Sequence, residues 1–127
     1  MNIPGLTTAF RAGGAVTKRR ILAFGSADGV AIQAVAATAP LLGVSTDIDT
    51  ASGGTVDAIR NGLAPVEYGG TVTRGAPLTA DSEGRAIAAT IASATVTYII
   101  GYAEVEGVVG DIGSVNVVPG VIPATTV

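Results

Sequence analysis

Apolar and polar positions along this chain alternate with a period of two in short runs, and each run stops at a cluster of Gly, Pro, Asp or Ser. The longest run covers Thr95 to Glu104, where Thr95, Thr97, Ile99 and Gly101 alternate against Val96, Tyr98, Ile100 and Tyr102. That alternation is the signature of a half-buried β-strand. Shorter runs predict strands at 19–24, 30–35, 41–45, 55–60, 62–68, 77–80, 85–89 and 114–118. Ser26-Ala27-Asp28-Gly29 and Asp81-Ser82-Glu83-Gly84 are tight-turn sequences, with Gly29 able to take positive φ. Each turn joins two strands into a hairpin. No capped stretch places apolar residues at i, i+3, i+4 and i+7. Residues 30–43 are Ala-rich, but they align with 85–103, which carries β-branched Thr, Val and Ile, so both read as mainly β. The tail 119–127 holds Pro119 and Pro123, which cannot donate ladder bonds, and is expected to be an edge or extended segment.

The pattern is written twice. Gly13-Gly14-Ala15-Val16-Thr17-Lys18 lies over Gly69-Gly70-Thr71-Val72-Thr73-Arg74, and Leu22 then falls on Leu78. After a one-residue slip, Asp28 to Ala34 falls on Glu83 to Ala89. After a small insertion, Leu41-Leu42-Gly43-Val44 falls on Ile99-Ile100-Gly101-Tyr102, and Gly54-Thr55-Val56-Asp57 on Gly113-Ser114-Val115-Asn116. The period is about 55–59 residues. Two copies are too few for a solenoid, which needs about three units. The expectation is one compact all-β domain, residues 12–120, with a pseudo-two-fold duplication whose halves run about 12–60 and 68–118 and with a short tail, 121–127. Residues 1–11 have no counterpart in this alignment and read as an extended N-terminal arm with Leu6 and Phe10 as apolar anchors.

Composition narrows the function more than the fold. A chain of 127 residues is sized for one domain. It has 18 Gly, two Phe, three Tyr and no Trp, so its core must be built from small and β-branched side chains. It has neither Cys nor His, which removes disulfides, thiolate chemistry, the commonest general base and the commonest metal ligand. A net charge of −3 lacks the basic excess of a nucleic-acid binder, and no apolar stretch is long enough to span a membrane. The N-terminus shows no signal-peptide pattern.

Candidate chemistry is sparse. Asp47, Asp49 and Asp57 do not match the spacing of a calcium loop and read as turn residues. Glu104 and Glu106 read as charges on an exposed edge rather than a glycosidase pair. Gly107 to Gly113 lacks phosphate-loop spacing and reads as a loop. A Ser–Lys nucleophile would need Lys18, the only Lys, to be buried beside basic neighbours. No enzyme activity, cofactor or metal is therefore expected. Lys18-Arg19-Arg20 is the only basic cluster and is more suited to an acidic protein surface than to nucleic acid.

Several segments together resemble the small capsid decoration (cement) proteins of tailed bacteriophages. They are Val66 to Thr79, Asp81-Ser82-Glu83-Gly84-Arg85-Ala86-Ile87, Ile99-Ile100-Gly101-Tyr102-Ala103 and Gly110-Asp111-Ile112-Gly113-Ser114-Val115. The resemblance covers about residues 12–120. It implies a β-tulip or β-barrel made in the host cytoplasm and carried on the outer surface of the virion. There it would sit as a homotrimer, with the major capsid protein as partner, clamping neighbouring capsid subunits. Leu6, Phe10, Arg11, Lys18, Arg19 and Arg20 are the candidate capsid contacts, and deletion of residues 1–11 is expected to weaken shell binding while leaving the domain folded. The alternative is a receptor- or glycan-binding β module of a phage fibre or bacterial adhesin, which would need exposed aromatics among Phe10, Phe24, Tyr68, Tyr98 and Tyr102.

Overall fold

A computed structural model describes residues 3–90 and 95–123, and these form eleven β-strands and no helix. The strands are β1 (Ile3–Pro4), β2 (Thr7–Ala12), β3 (Ile21–Phe24), β4 (Val30–Gln33), β5 (Leu41–Ser45), β6 (Thr55–Ile59), β7 (Gly62–Glu67), β8 (Pro77–Ala80), β9 (Ala86–Ala88), β10 (Thr97–Ala103) and β11 (Ile112–Ile122). The first five after β1 close into a barrel in the order β2-β4-β3-β5-β6. The rest form a six-stranded sheet in the order β1-β7-β11-β10-β8-β9. The all-β barrel fold expected from the alternation is what the chain adopts.

The duplication is legible in the hydrogen bonds. Leu22 pairs with Gln33 and Gly43, and Leu78 pairs with Ala88 and Gly101. Val16 bridges Thr50 as Val72 bridges Gly107. The parallel contact of Ala12 with Ala31 returns as the isolated parallel bridge of Tyr68 with Ala86, so the second copy closes its ring by a single bridge. Gly43 and Gly101 both sit at register breaks. A Cβ on either would collide with the backbone of Ile59 or Asn116, so close strand approach demands glycine at this point of each copy.

Two expectations are corrected and a third is refined. Residues 1–11 are not a free arm: Thr7–Ala12 is a barrel strand, paired with β6 along its length, and is the counterpart of β7. Thr8, Phe10 and Ala12 alternate toward the barrel interior against Thr7, Ala9 and Arg11, so removing 1–11 would open the barrel rather than spare it. The last aligned pair shifts by two residues. Gly54 bonds Ala51 as Asp111 bonds Val108, and Phe10 faces Val56 as Val66 faces Gly113, so Val56 matches Gly113. Finally, Pro119 lies inside β11, where Val118 and Pro119 bulge opposite Ile100, past the last residue that β7 pairs. The missing amide therefore breaks no ladder bond, in keeping with the edge expectation. The end of the expected tail, 124–127, lies outside the described residues.

Two apolar clusters follow from the pleat. Leu22, Leu42, Val56, Ala58, Ala12, Ala31 and Val16 fill the barrel. Ile21, Ala23, Leu41, Val44 and Ile59 point outward from the barrel and join Ala64, Val66, Tyr68, Leu78, Ile100, Val115 and Val117 in a shared core, so the two halves are one folded body. Each fully buried Leu or Ile contributes about 1.5–3 kcal/mol.

A polar seam runs beside this core. The Arg20 guanidinium donates to Glu83 O at 2.8 Å and to Glu67 Oε1 at 3.2 Å. Arg85 reaches Asp81 at 3.0 Å and Glu83 at 2.9 Å, and Gln33 Nε2 also donates to Glu83 O. The second-copy turn thus docks on the first copy, with Ile21 N–H donating to Gly84 O. Gly84 has φ +74°, and a Cβ there would meet Gln33 Cγ at 2.8 Å. Its counterpart Gly29 has φ +76° and open space around it. Gly29→Ala should cost only the left-handed backbone term, about 1 kcal/mol, whereas Gly84→Ala should cost about 2–3 kcal/mol because it also wedges the seam. Urea denaturation of the two variants measures the difference; equal losses would mean that the turn does not dock.

Candidate functional site

The side chains that alternate away from the shared core define one exposed sheet face. Cross-strand partners share a face. Ile3 lies opposite Leu63, Leu63 opposite Asn116, Asn116 opposite Tyr102 and Tyr102 opposite Pro77, giving one continuous row. Glu67 with Ile112 adds a further pair, whereas Ser114, opposite Pro65, is buried. Ile3 is 58 % exposed, Ile112 48 % and Tyr102 42 %. Leu63, Pro65 and Pro77 lie half-buried between these exposed apolar side chains, so the outer side of the sheet carries a partly exposed apolar patch.

This face runs into a groove of about 380 Å³ at the seam between the halves, lined by Pro4, Thr7, Arg19, Asp47, Pro65 and Ile112 among others. Arg19 is the only described non-glycine residue with positive φ, at 56°. Its counterpart in the second copy is Gly75, at 84°. The first copy therefore holds a side chain in a left-handed conformation where the repeat uses glycine, and that side chain forms an ion pair with Asp47 on the groove wall. Strain of this kind persists where surrounding structure or function demands it.

The six predicted contact residues do not converge. Leu6 is exposed beside β1, its amide held by Asn61 Oδ1 at 2.6 Å. Phe10 turns into the barrel mouth beneath the Arg60 guanidinium, 5.5 Å from its ring centre. Arg11 is exposed on the barrel flank, and Lys18 is an exposed turn residue whose amide donates to Asp49 Oδ1. Arg19 lines the groove, and Arg20 is committed to the seam. Lys18-Arg19-Arg20 is therefore not one basic patch. The sequence reading singled out Tyr102 only as a candidate glycan-contact aromatic, and did not single out Ile3, Leu63, Pro65 or Ile112. The signal was present in the alternation of Leu63, Pro65 and Glu67 against buried Ala64 and Val66.

The acidic residues behave as turn and surface groups. Asp49 accepts from Lys18 N–H, Asp111 accepts from Val108 N–H, and Glu106 pairs with Arg74 at 3.6 Å with both side chains 70 % exposed. Among the described residues, no three Asp, Glu, His or Cys side chains gather where a metal ion could sit. What the surface offers chemically is apolar contact rimmed by polar groups.

The chain is a duplicated all-β protein, a closed five-stranded barrel joined to a six-stranded sheet, with apolar side chains on the sheet's outer side. No protein-family model matches the chain, and no curated protein matches it by sequence. Among solved structures it is similar to the crystal structure of the head fiber gp8.5 N base of bacteriophage phi29. The TM-score is 0.66 with 23 % identity, over 89 % of this chain and 93 % of that one. The two share a fold.

Proposed function

We propose that this chain is a decoration protein of a tailed-phage head, bound to the outer surface of the assembled major-capsid lattice. The observation that carries the reading is the Ile3–Leu63–Tyr102–Ile112 face, exposed at Ile3, Tyr102 and Ile112, set on a fold that it shares with a phage head-fiber base. The mechanism is mass action: a protein that binds the expanded lattice and not the free subunit stabilises that lattice by linkage. A homotrimer would place three such faces on neighbouring capsid subunits and gain from multivalency. Light scattering should then give a mass three times the 12.4 kDa of the chain.

Cosedimentation with undecorated heads tests the face. The wild-type protein should load in a fixed ratio. Ile112→Asp, which places a carboxylate where the face meets the groove, should weaken loading about 30-fold or more, equivalent to roughly 2 kcal/mol or above. Unchanged loading by Ile112→Asp would remove the face from the account. Arg19→Gly relieves the left-handed strain and deletes a solvent-exposed ion pair, so its stability should stay within about 1 kcal/mol of wild type. Its head loading should nevertheless fall, since the groove loses its charged wall.

A further inference from the structure

The two copies of the repeat act as an internal control: what one carries and the other lacks is an addition to the common frame. The first copy carries both phenylalanines of the chain at one barrel mouth. Phe10 and Phe24 line a groove of about 280 Å³ with the turn Gly25 to Gly29. The second copy has buried Val66 and Ala80 at the equivalent positions, and its turn is occupied at the seam. Phe24 is 52 % exposed, although its strand neighbours Leu22 and Ala23 are buried. The second copy is built with small buried side chains at both of these positions, so the frame does not require a half-exposed ring there.

The groups around that ring restrict what it can hold. Asp28 stands on the turn, and among the described residues it has no ion-pair partner and the amides of Ser26, Ala27 and Asp28 form no backbone hydrogen bond. The Asp28 carboxylate disfavours an anion. The Arg60 guanidinium already lies over the Phe10 ring, which disfavours a second cation. What remains is a neutral ligand with an apolar face for Phe24 and hydroxyls for the carboxylate, Ser26 and the turn amides. The volume, about 280 Å³, lies just under the range of drug-sized ligand sites, roughly 300 Å³ upward, and suits a single sugar ring.

We infer that the Phe10–Phe24 mouth of the first barrel is a binding site for a neutral sugar residue, such as a hexose or an N-acetylhexosamine at the end of a surface glycan. The ring of the sugar stacks on Phe24, and its hydroxyls bond Asp28 and the 26–28 turn. The site lies apart from the sheet face argued above and does not depend on it.

The test is an NMR titration of the full chain, labelled with ¹⁵N, against neutral oligosaccharides of glucose, galactose and N-acetylglucosamine. The expected result is saturable shifts of the amides at residues 24–30 with at least one of them. Phe24→Ala, at an exposed position that leaves the barrel core intact, should weaken that binding about tenfold or more. Asp28→Asn should weaken it by a smaller factor, with spectra of both variants remaining folded. Absence of shifts at millimolar sugar, shifts confined to other residues, or equal binding by Phe24→Ala would each overturn the inference. Because the assay contains no phage heads, its failure leaves the decoration reading where cosedimentation puts it.

Discussion

The double variant Tyr68→Ala/Gly113→Val should be more stable than either single variant. The first copy fills the matching space with Ala12 and Val56; the second fills it with Tyr68 and Gly113. These are two solutions to one packing problem, a small residue facing a larger one in opposite order. Tyr68 is fully buried, and its hydroxyl donates to Val105 O at 2.8 Å. A Cβ on Gly113 would overlap the Tyr68 ring, and one on Gly107 would come within 2.7 Å of it. Tyr68→Ala alone should cost about 3–5 kcal/mol through the cavity it leaves. Gly113→Val alone has no room and should cost as much or prevent folding. Together the valine fills part of the vacated space. The coupling should therefore be favourable by about 2–3 kcal/mol, leaving a residual loss because Gly107 stands where the first copy has Thr50. Chemical denaturation of the four proteins in the cycle measures this. Additive losses would mean that the copies do not share a packing frame.

Tyr68 also gives the fold an alkaline limit. Burial pushes the phenol pKa up from its ordinary value of 10.0, and the charge of Asp111 pushes it further in the same direction. The unfolded chain ionises this phenol first. The stability contributed is therefore fully present below pH 10 and is lost as pH rises from there through the folded-state pKa. The urea midpoint should fall over that window more steeply for wild type than for Tyr68→Phe, which cannot ionise.

Arg20→Ala should lower the melting temperature by about 5–8 °C, corresponding to roughly 2 kcal/mol. Arg20 is 14 % exposed and Glu67 26 %, so the ion pair is neither a solvated surface contact nor a fully desolvated one. Its removal also strips one donor from Glu83 O and leaves Glu67 dependent on Arg85 at 4.0 Å. Arg20→Lys should recover only part of the loss, since an ammonium cannot reach both acceptors with the geometry of a planar fork. A shift below 1 °C for Arg20→Ala would mean that apolar contact alone holds the halves together.

The two copies were legible in the sequence because their turns and bulges need glycine at fixed points. Gly29 and Gly84 take positive φ at matching turns, and Gly43 and Gly101 lie where a neighbouring strand comes too close for a Cβ. The first strand of the first copy was not legible in the same way. Phe10 and Ala12 differ in size from Val66 and Tyr68, and the compensation lies across the sheet at Val56 and Gly113, far away in sequence. The same limit applies to the site. Lys18-Arg19-Arg20 looks like one basic patch on paper, but strand entry sends its members to a free turn, a strained groove wall and a seam. The apolar face was hidden because its members come from β1, β7, β8, β10 and β11, and only strand register brings Ile3, Leu63, Tyr102 and Pro77 into one row.

The most direct test of the central claim is a cryo-electron microscopy map of undecorated phage heads incubated with the purified protein. The account predicts ordered density on the outer surface of the shell, with the Ile3–Leu63–Tyr102–Ile112 face against the capsid and the Phe10–Phe24 mouth turned to solvent. Bare heads, or density attached through the opposite side of the molecule, would contradict it.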